Sequence, residues 1–432
     1  MKKEYIERLF DKELEFYLKS VCAIQIVGPK WCGKSTTAKR HAKSIIDLMK
    51  NKDRAQFIPL AKEAPDILLD YGEKPLLIDE WQIISFIFNS LKAKIDENGI
   101  FGQYILTGSV TDSLIDKNTS LNNNEKHTGT GRILKKTMRT MSLLESKDST
   151  GVVSLNDLKD GKFKNTIVDK SIKDYAYLIC RGGWPLSINQ EEAVALQQAN
   201  TFYDGLVNED IFSLDDIKIR KDPTKAQKFL KAYARNISTE ASNESIRKDL
   251  SDNGDEMDIE TFNKYMLILR RLFVVDELEA WNPNLRSKTA IRTKNTRHFV
   301  DPSIAAVALG ITKDSLLYDM KTFGLLFESL AIRDLKIYAD YLGAKVYHYR
   351  DKLDRETDAV MVFNDGSWGL IEVKLSNEEE IKKASKKLLS LSKDINNKDN
   401  PTPKFLMIIT TSKTSYRDEN GVYIVPLCSL GV

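Results

Sequence analysis

Two groups of residues in this chain have the types and spacing needed to act on phosphate. Gly28-Pro29-Lys30-Trp31-Cys32-Gly33-Lys34-Ser35, followed by Thr36, fits the pattern G-x-x-x-x-G-K-[ST]. Glycines there let backbone N–H groups curl around phosphate oxygens, Lys34 is long enough to reach the β and γ oxygens, and Ser35 supplies a hydroxyl to Mg²⁺. Downstream, Pro75-Leu76-Leu77-Ile78-Asp79-Glu80 is an apolar run that ends in two carboxylates. Asp79 is suited to holding Mg²⁺ through water and Glu80 to polarising an attacking water; an acidic pair in this position also serves as a helix cap, and the glycine loop upstream favours the chemical reading. Tyr104-Ile105-Leu106 leads into Thr107-Gly108-Ser109, and Thr107 is placed to hydrogen-bond the γ-phosphate or the water, unless it is there only for the turn. Arg132, after Gly131, is the candidate for the arginine that meets transition-state charge. It reads equally well as a solvated arginine among Lys135, Lys136 and Arg139.

These residues need strands that end where they begin. Val21–Val27 is a short apolar run before the glycine loop, and Ser35–Lys50 carries a helical pattern. Further strand-like runs at Gln56–Leu60, Pro75–Ile78, Tyr104–Leu106 and Ile133–Met141, separated by helical segments, predict a parallel α/β sheet with ligands at its carboxyl edge. Asp112–Gly131 is polar and reads as a long mobile loop. Helices follow at Lys173–Cys180 and Glu191–Phe212. Then come three at Ala226–Asn236, Ser242–Leu250 and Ile259–Arg271, with β-like runs at Leu272–Trp281 and Arg297–Val300, the outline of a winged helix-turn-helix. The last part is expected as helix Phe323–Leu342, strands Lys345–Tyr349, Thr357–Phe363 and Trp368–Lys374, helix Glu378–Ile395, and strands Phe405–Thr411 and Val422–Val425.

Asp358 and the tripeptide Glu372-Val373-Lys374 lie on two successive strands of that last part, and they resemble the PD-(D/E)xK nuclease superfamily, with Thr357 where the pattern is written with Pro. Residues two apart on a strand share a face, so Glu372 and Lys374 point one way and call for a partner that Asp358 can supply. Glu328 has Leu325, Ala331, Ile332 and Leu335 as helical neighbours, which puts a carboxylate beside a buried stripe. Asp358 and Glu372 are the expected Mg²⁺ ligands, with Glu328 completing or orienting the shell and Lys374 positioning the water. The competing reading is an ion pair in a nuclease-shaped domain that only binds.

Arg286, Lys288, Arg292, Lys294 and Arg297 fall between Trp281 and Val300 with no acidic residue among them. Such a segment can grip nucleic-acid phosphates without reading sequence, or it is simply a solvated hairpin. The formal net charge of the chain is only +3, so any basic footprint must be local. With 42% hydrophobic and 29% charged residues the composition is that of a globular protein and excludes collagen-like or wholly disordered readings. Cys22, Cys32, Cys180 and Cys428 are widely spaced and His41, His127, His298 and His348 are scattered, which disfavours a zinc site or a disulfide framework. A charged N-terminal stretch and the lack of a long apolar run point to a reduced, cytoplasmic protein with no membrane partner.

Taken in order, VCAIQIVGPKWCGKSTTAKRHAKS, PLLIDEWQ, GQYILTGS, GTGRI with MRTMSLLES, the RGGWP turn, and WNPNLRSK with HFVDPSIAAVALG resemble the bacterial and archaeal AAA+-type ATPases that carry a C-terminal domain of uncharacterised function. The resemblance implies a P-loop ATPase fold, a winged helix and a nuclease-like end; with the element pattern above, the domains are expected as a P-loop ATPase domain over 1–165, a helical lid or connector over 166–222, a winged helix-turn-helix over 223–312 and a restriction-nuclease-like α/β domain over 313–432. It implies ATP and Mg²⁺ as cofactors and places the nucleotide-site roles on Gly28, Gly33, Lys34, Ser35, Asp79 and Glu80. The whole is expected to be an ATP-binding and ATP-hydrolysing, DNA-associated protein with a Mg²⁺-dependent nuclease or nuclease-like end, with a homo-oligomer left open. The alternative is a nucleotide-controlled binding switch that cleaves nothing.

Overall fold

The structure is a computed structural model that describes residues 4–108, 132–214, 217, 219–252, 254–283, 294–351, 353–395 and 402–432. The loop expected at Asp112–Gly131 lies outside the described residues, as do Arg286, Lys288 and Arg292 of the basic segment. The chain divides into two compact units, one of Met1–Thr140 with Leu269–Phe273 and one of Met141–Ile268 with Val274–Val432.

The first unit is an α/β domain on a parallel sheet. Its strands are β1 (Ala23–Val27), β2 (Ser44–Asp47), β3 (Leu76–Asp79), β4 (Tyr104–Thr107) and β5 (Ile133–Thr137), in the order β2-β3-β4-β1-β5. Strand alternation sends side chains to two separate cores. Ile24, Ile26, Leu77 and Ile105 pack with Phe10 and Leu14 of α1 (Leu9–Leu18) and Ala38 of α2 (Lys34–His41). Ala23, Ile46, Leu76, Ile78 and Leu106 face Phe57 and Ala61 of α3 (Asn51–Glu63), Leu68 of α4 (Pro65–Leu69) and Leu91 of α5 (Phe88–Asn98).

One expected strand is displaced. Gln56–Leu60 lies within helix α3, and the strand that joins β3 is Ser44–Asp47, inside the stretch expected to continue the helix after the glycine loop. An apolar run of four residues fits a strand or a buried helical turn equally; Phe57 and Ala61, four apart, bury one helical face here. Helix α2 ends at His41 because Ala42 turns extended, and Ile46 then fills the core as a strand residue.

In the second unit, helices α6 (Ile172–Arg181), α7 (Glu192–Asn208), α8 (Pro223–Arg235), α9 (Asn243–Asp252) and α10 (Ile259–Arg271) precede two antiparallel bridges, Val275 with Phe299 and Leu278 with Thr296. Helix α11 (Pro302–Leu309) is buried along most of its length. The long helix α12 (Met320–Leu342) then leads into a six-stranded mixed sheet. Its strands β6 (Ala344–Arg350), β7 (Glu356–Phe363) and β8 (Trp368–Val373) pair antiparallel, after which β9 (Phe405–Thr410) and β10 (Tyr423–Pro426) add in parallel beyond β8. Tyr416–Arg417 closes the far edge. Helix α13 (Glu378–Ile395) lays Ile381, Ala384, Leu388, Leu391 and Ile395 on Val360, Leu370, Ile408 and Ile424.

Residues 141–165, expected in the ATPase domain, belong to this second unit. Val153–Ser154 pairs in parallel with Leu430–Gly431, and Thr150 N–H donates to the Cys428 carbonyl at 2.9 Å. At its centre is Arg333, which binds Asp334 at 2.7 Å and Asp301 at 3.0 Å with all three side chains inaccessible. Asp334 accepts the Leu143 N–H at 2.9 Å and Asp301 accepts that of Gly183 at 2.8 Å. The RGGWP and HFVDPS segments thus meet around one arginine. Trp184 Nε1 donates to Ser303 at 3.0 Å and the indole stacks on Phe202. Replacing Arg333 by Met leaves two buried carboxylates without their cation, a loss of about 3–5 kcal/mol. Chemical unfolding should show this unit melting at clearly lower denaturant, and an unchanged midpoint would rule out the arginine as its organising contact.

Candidate nucleotide site and C-terminal carboxylate cluster

Strand register assembles the first site. Asp47 pairs with Asp79, Asp79 with Thr107, and Ile26 with Thr107, so three polar residues stand in a row along the carboxyl edge of the sheet beside the glycine loop. Gly28 (φ 149°) and Gly33 (φ 104°) both occupy backbone conformations closed to side chains, and a Cβ on Gly28 would overlap the Met138 carbonyl. Helix α2 starts at Lys34, which directs its N-terminal N–H groups at the loop.

The Asp79 carboxylate is the hub. Its Oδ1 accepts the Ser35 hydroxyl at 2.6 Å and the Thr107 hydroxyl at 2.5 Å; its Oδ2 faces Lys39 Nζ at 3.0 Å. Lys39 also binds Asp47 at 2.8 Å. Burial works against the charge on Lys39, but Asp47 and Asp79 outweigh it and raise its pKa. Burial likewise opposes ionisation of Asp47, which Lys39 reverses, lowering its pKa. Lys34 is buried and folds onto the loop itself, donating to the carbonyls of Gly28 at 2.9 Å and Pro29 at 2.7 Å. Ser35 and Asp79 present a hydroxyl and a carboxylate side by side, a hard-oxygen pair that fits Mg²⁺ with its other positions left to water and phosphate.

The remaining loop residues divide by environment. Lys30, Trp31 and Thr36 are exposed, whereas Cys32 turns inward, its thiol 3.3 Å from the Met138 carbonyl, so only its backbone is available to a phosphate. Arg8 of the segment before α1 donates to the Cys32 carbonyl at 2.9 Å and to those of Arg139 and Thr140. Tyr5 bridges Thr37 and Asp11, and Asp11 takes His41 at 2.8 Å. These braces on the back of the loop escaped sequence reading, as did Lys39. Of this group only Lys39 carried a signal, as the residue one helical turn beyond Ser35.

Glu80 follows the strand in a left-handed conformation (φ 57°), and its carboxylate takes the Gln82 amide at 2.5 Å. Arg132 is not brought to this site. It precedes β5, whose Ile133 pairs with Ala23 at the start of β1, and so it stands at the amino edge of the sheet, where it forms an ion pair with Asp96. The carboxyl edge is reached only at Thr137, opposite Val27.

In the second unit β7 and β8 pair Ala359 with Ile371, a register that sets Asp358 opposite Glu372. Asp358 Oδ2 accepts the Val373 N–H at 2.7 Å and lies 3.4 Å from Lys374 Nζ. Glu372 is almost inaccessible; its Oε1 binds both Lys374 and Lys387 at 3.0 Å, while its Oε2 is buried and takes no hydrogen bond among the described residues. Burial raises the Asp358 pKa to about 6, with the Glu372 charge adding to it, and burial followed by Asp358 raises that of Glu328 well above the usual carboxylate range. Burial opposes the charge on Lys374, but Asp358 and Glu372 prevail and raise its pKa. Asp358, Glu372 and Lys374 are thus brought together, with Lys387 as an addition, while Glu328 is related to them only through their charges and does not complete a metal-binding trio. Among the described residues no three His, Cys, Asp or Glu side chains are set closely enough to hold a metal ion by themselves. The orphaned Glu372 oxygen and the facing Asp358 are a donor set that Mg²⁺ could use only with water or phosphate supplying the rest.

The basic segment keeps one described exposed cation, Lys294. Arg297 leaves the expected set: it is buried, bound to Glu277, and donates to Ala241 O and Asn243 Oδ1 at 2.9 Å.

Three stretches of the chain match known domain families. Residues 22–147 match an AAA domain family (AAA_14), while residues 172–315 and 323–430 each match a domain of unknown function, DUF8612 and DUF4143. No curated protein matches the chain. Among solved structures, a Walker-type ATPase of Pyrococcus abyssi aligns at 14% identity over 72% of this chain and 97% of its own, with a TM-score of 0.42. The replication initiator DnaA bound to AMPPCP and single-stranded DNA aligns at 15% identity over 62% of this chain and 89% of its own, with a TM-score of 0.23. The N-terminal unit has a parallel α/β fold with a glycine-rich loop after its first strand, and it is this part of the chain that is similar to an AAA domain. Among the described residues no helix is long and apolar enough to cross a membrane.

Lys39→Met should lower the stability of the nucleotide-free protein by about 1–3 kcal/mol, because it strips a partner from two largely buried carboxylates. Mg²⁺ with nucleotide should narrow the deficit by restoring positive charge near Asp79. A thermal melt that shows no deficit, or one that Mg²⁺ and nucleotide leave untouched, contradicts this account.

Proposed function

We propose that the protein is an ATP-driven, DNA-associated machine whose C-terminal domain is a Mg²⁺-dependent nuclease or a close derivative of one. The observation that carries the ATPase half is the hydrogen-bonded set of Ser35, Asp79 and Thr107 beside the glycine loop, with Lys34 buried within it. Lys34 would exchange its loop carbonyls for the β and γ oxygens of ATP, Ser35 and Asp79 would hold Mg²⁺, and Thr107 would meet the γ-phosphate or the water. Bound Mg²⁺ would neutralise charge on the transferring phosphoryl group. Glu80 would accept the proton of the attacking water.

For the C-terminal half, support comes from Asp358 facing Glu372 across two strands with Lys374 between them. The helices at 223–271 and the antiparallel bridges after them suit a winged helix, and Arg286, Lys288, Arg292 and Lys294 suit a nonspecific phosphate contact. A second reading, a nucleotide-controlled switch that binds without cutting, is favoured by the two lysines already seated on Glu372.

Lys34→Ala should abolish tight ATP binding, and Glu80→Gln should keep binding while stopping turnover; a Glu80→Gln protein that hydrolyses ATP at the parent rate would remove Glu80 from its role. With Mg²⁺ or Mn²⁺ and plasmid or oligonucleotide, Glu372→Ala should lose cleavage yet retain ATP hydrolysis. If the parent protein cuts no DNA or RNA under any of these conditions, the switch reading takes its place. Neutralising Arg286, Lys288, Arg292 and Lys294 together should weaken duplex binding evenly across sequences and flatten its salt dependence, and an unaltered slope of log affinity against log salt would exclude the segment as the contact.

A further inference from the structure

Gln82 has no role in the chemistry derived so far, yet its amide is placed between two parts of the nucleotide site. Nε2 donates to Glu80 Oε2 at 2.5 Å. The carbonyl end points the other way, to the top of β4: a Cβ on Gly108 would stand 2.5 Å from Gln82 Oε1. Gly108 directly follows Thr107, the residue bound to Asp79, and its φ lies outside the left-handed region, so a Cβ there would be tolerated by the backbone but would push the Gln82 amide aside. That carbonyl oxygen is buried and takes no hydrogen bond among the described residues, although a buried amide acceptor without a donor costs about 1–3 kcal/mol. One end of the amide is thus spent on the proposed general base and the other is an acceptor kept open beside the γ-phosphate end of the sheet. Glu80 itself has a left-handed backbone conformation.

We propose that Gln82 is the positioning residue for hydrolysis: its N–H₂ fixes the Glu80 carboxylate and its carbonyl accepts a hydrogen bond from the attacking water, so the water is held by Gln82 and Glu80 together. Glu80 takes the water proton as the oxygen bonds to the γ-phosphorus and the bond to the ADP oxygen breaks. Gln82 exchanges no proton. This rests on the ATPase reading above.

The test uses the full chain. Gln82→Met keeps the volume and removes both hydrogen bonds, and kcat should fall on the order of 10²-fold with KM for ATP within about twofold. Binding of ADP with beryllium fluoride, which mimics the ground state, should persist. Capture of ADP with aluminium fluoride, which needs the in-line water, should be lost. Gly108→Ala, which leaves Gln82 in place chemically but displaces its carbonyl, should fall the same way. Gln82→Met combined with Glu80→Gln should be no slower than the slower single variant, since the two act as one unit. Parent-like kcat and aluminium fluoride capture in Gln82→Met overturn the proposal while leaving the ATPase reading intact. Absence of ATP hydrolysis in the parent overturns the ATPase reading and this proposal with it. A rise in KM at constant kcat assigns Gln82 to binding and also overturns it.

Discussion

A buried carboxylate must be met on every side, and in the N-terminal domain that requirement falls on Asp79. Its two oxygens are satisfied by three donors from two elements: Ser35 and Lys39 on the helix after the glycine loop, and Thr107 at the end of the neighbouring strand. Thr107 arrives only if β3 and β4 keep their observed parallel register, because a slip of one residue turns it to the other face. The same register brings Asp47 level with Asp79, so that one lysine can serve both. Around this carboxylate the glycine loop, the helix start and three strand ends are fixed relative to one another, and the candidate nucleotide site is a consequence of that.

The C-terminal cluster answers the same requirement differently. Glu372 and Asp358 face each other across β7 and β8, and burial leaves too few donors to keep every carboxylate ionised. Lys374 and Lys387 both fall to Glu372, while Asp358 makes do with a backbone N–H and a distant lysine, and Glu328 has burial and like charges against it. The outcome is unequal carboxylates, with Glu372 paired to its two lysines and ionisation disfavoured at Glu328. In such a set added positive charge acts first on the groups held short of it.

The elements that carry the glycine loop, the acidic strand end and the Asp358, Glu372 and Lys374 spacing were legible in the sequence, because each is a local pattern of a few residues on one strand or turn. What failed did so for identifiable reasons. Gln56–Leu60 is a short, mostly apolar run with no periodicity to separate strand from helix, and the arbiter is the tertiary packing of Phe57 and Ala61. Arg132 sits one residue before a strand, and sequence order does not say which edge of the sheet a strand enters from; that depends on its pairing with β1. Arg297 looked like part of a basic run, yet Glu277, twenty positions earlier, neutralises it. The domain boundary at 165 missed the two-residue pairing of Val153–Ser154 with Leu430–Gly431, too short to leave a pattern.

Lys39, Lys387 and Gln82 share one reason for having gone unnoticed. Each lies outside a recognised motif but within a helical turn or a strand's width of one, where it contacts a motif carboxylate directly: Asp79, Glu372 and Glu80 respectively. A motif lists the groups that meet the ligand and is silent about those that hold them, and in a buried site the second kind are as constrained as the first. An acidic side chain taken out of water needs a donor whether or not a ligand is bound, so the partner must be encoded somewhere in the chain. The carboxylates of a phosphate-handling site therefore point to further residues that take part in it. Among the three partners, Lys39 and Lys387 bring a full charge, which suffices for holding. Gln82 brings a donor and an acceptor on one rigid plane, and a neutral two-ended group joins a carboxylate to something that is itself a donor.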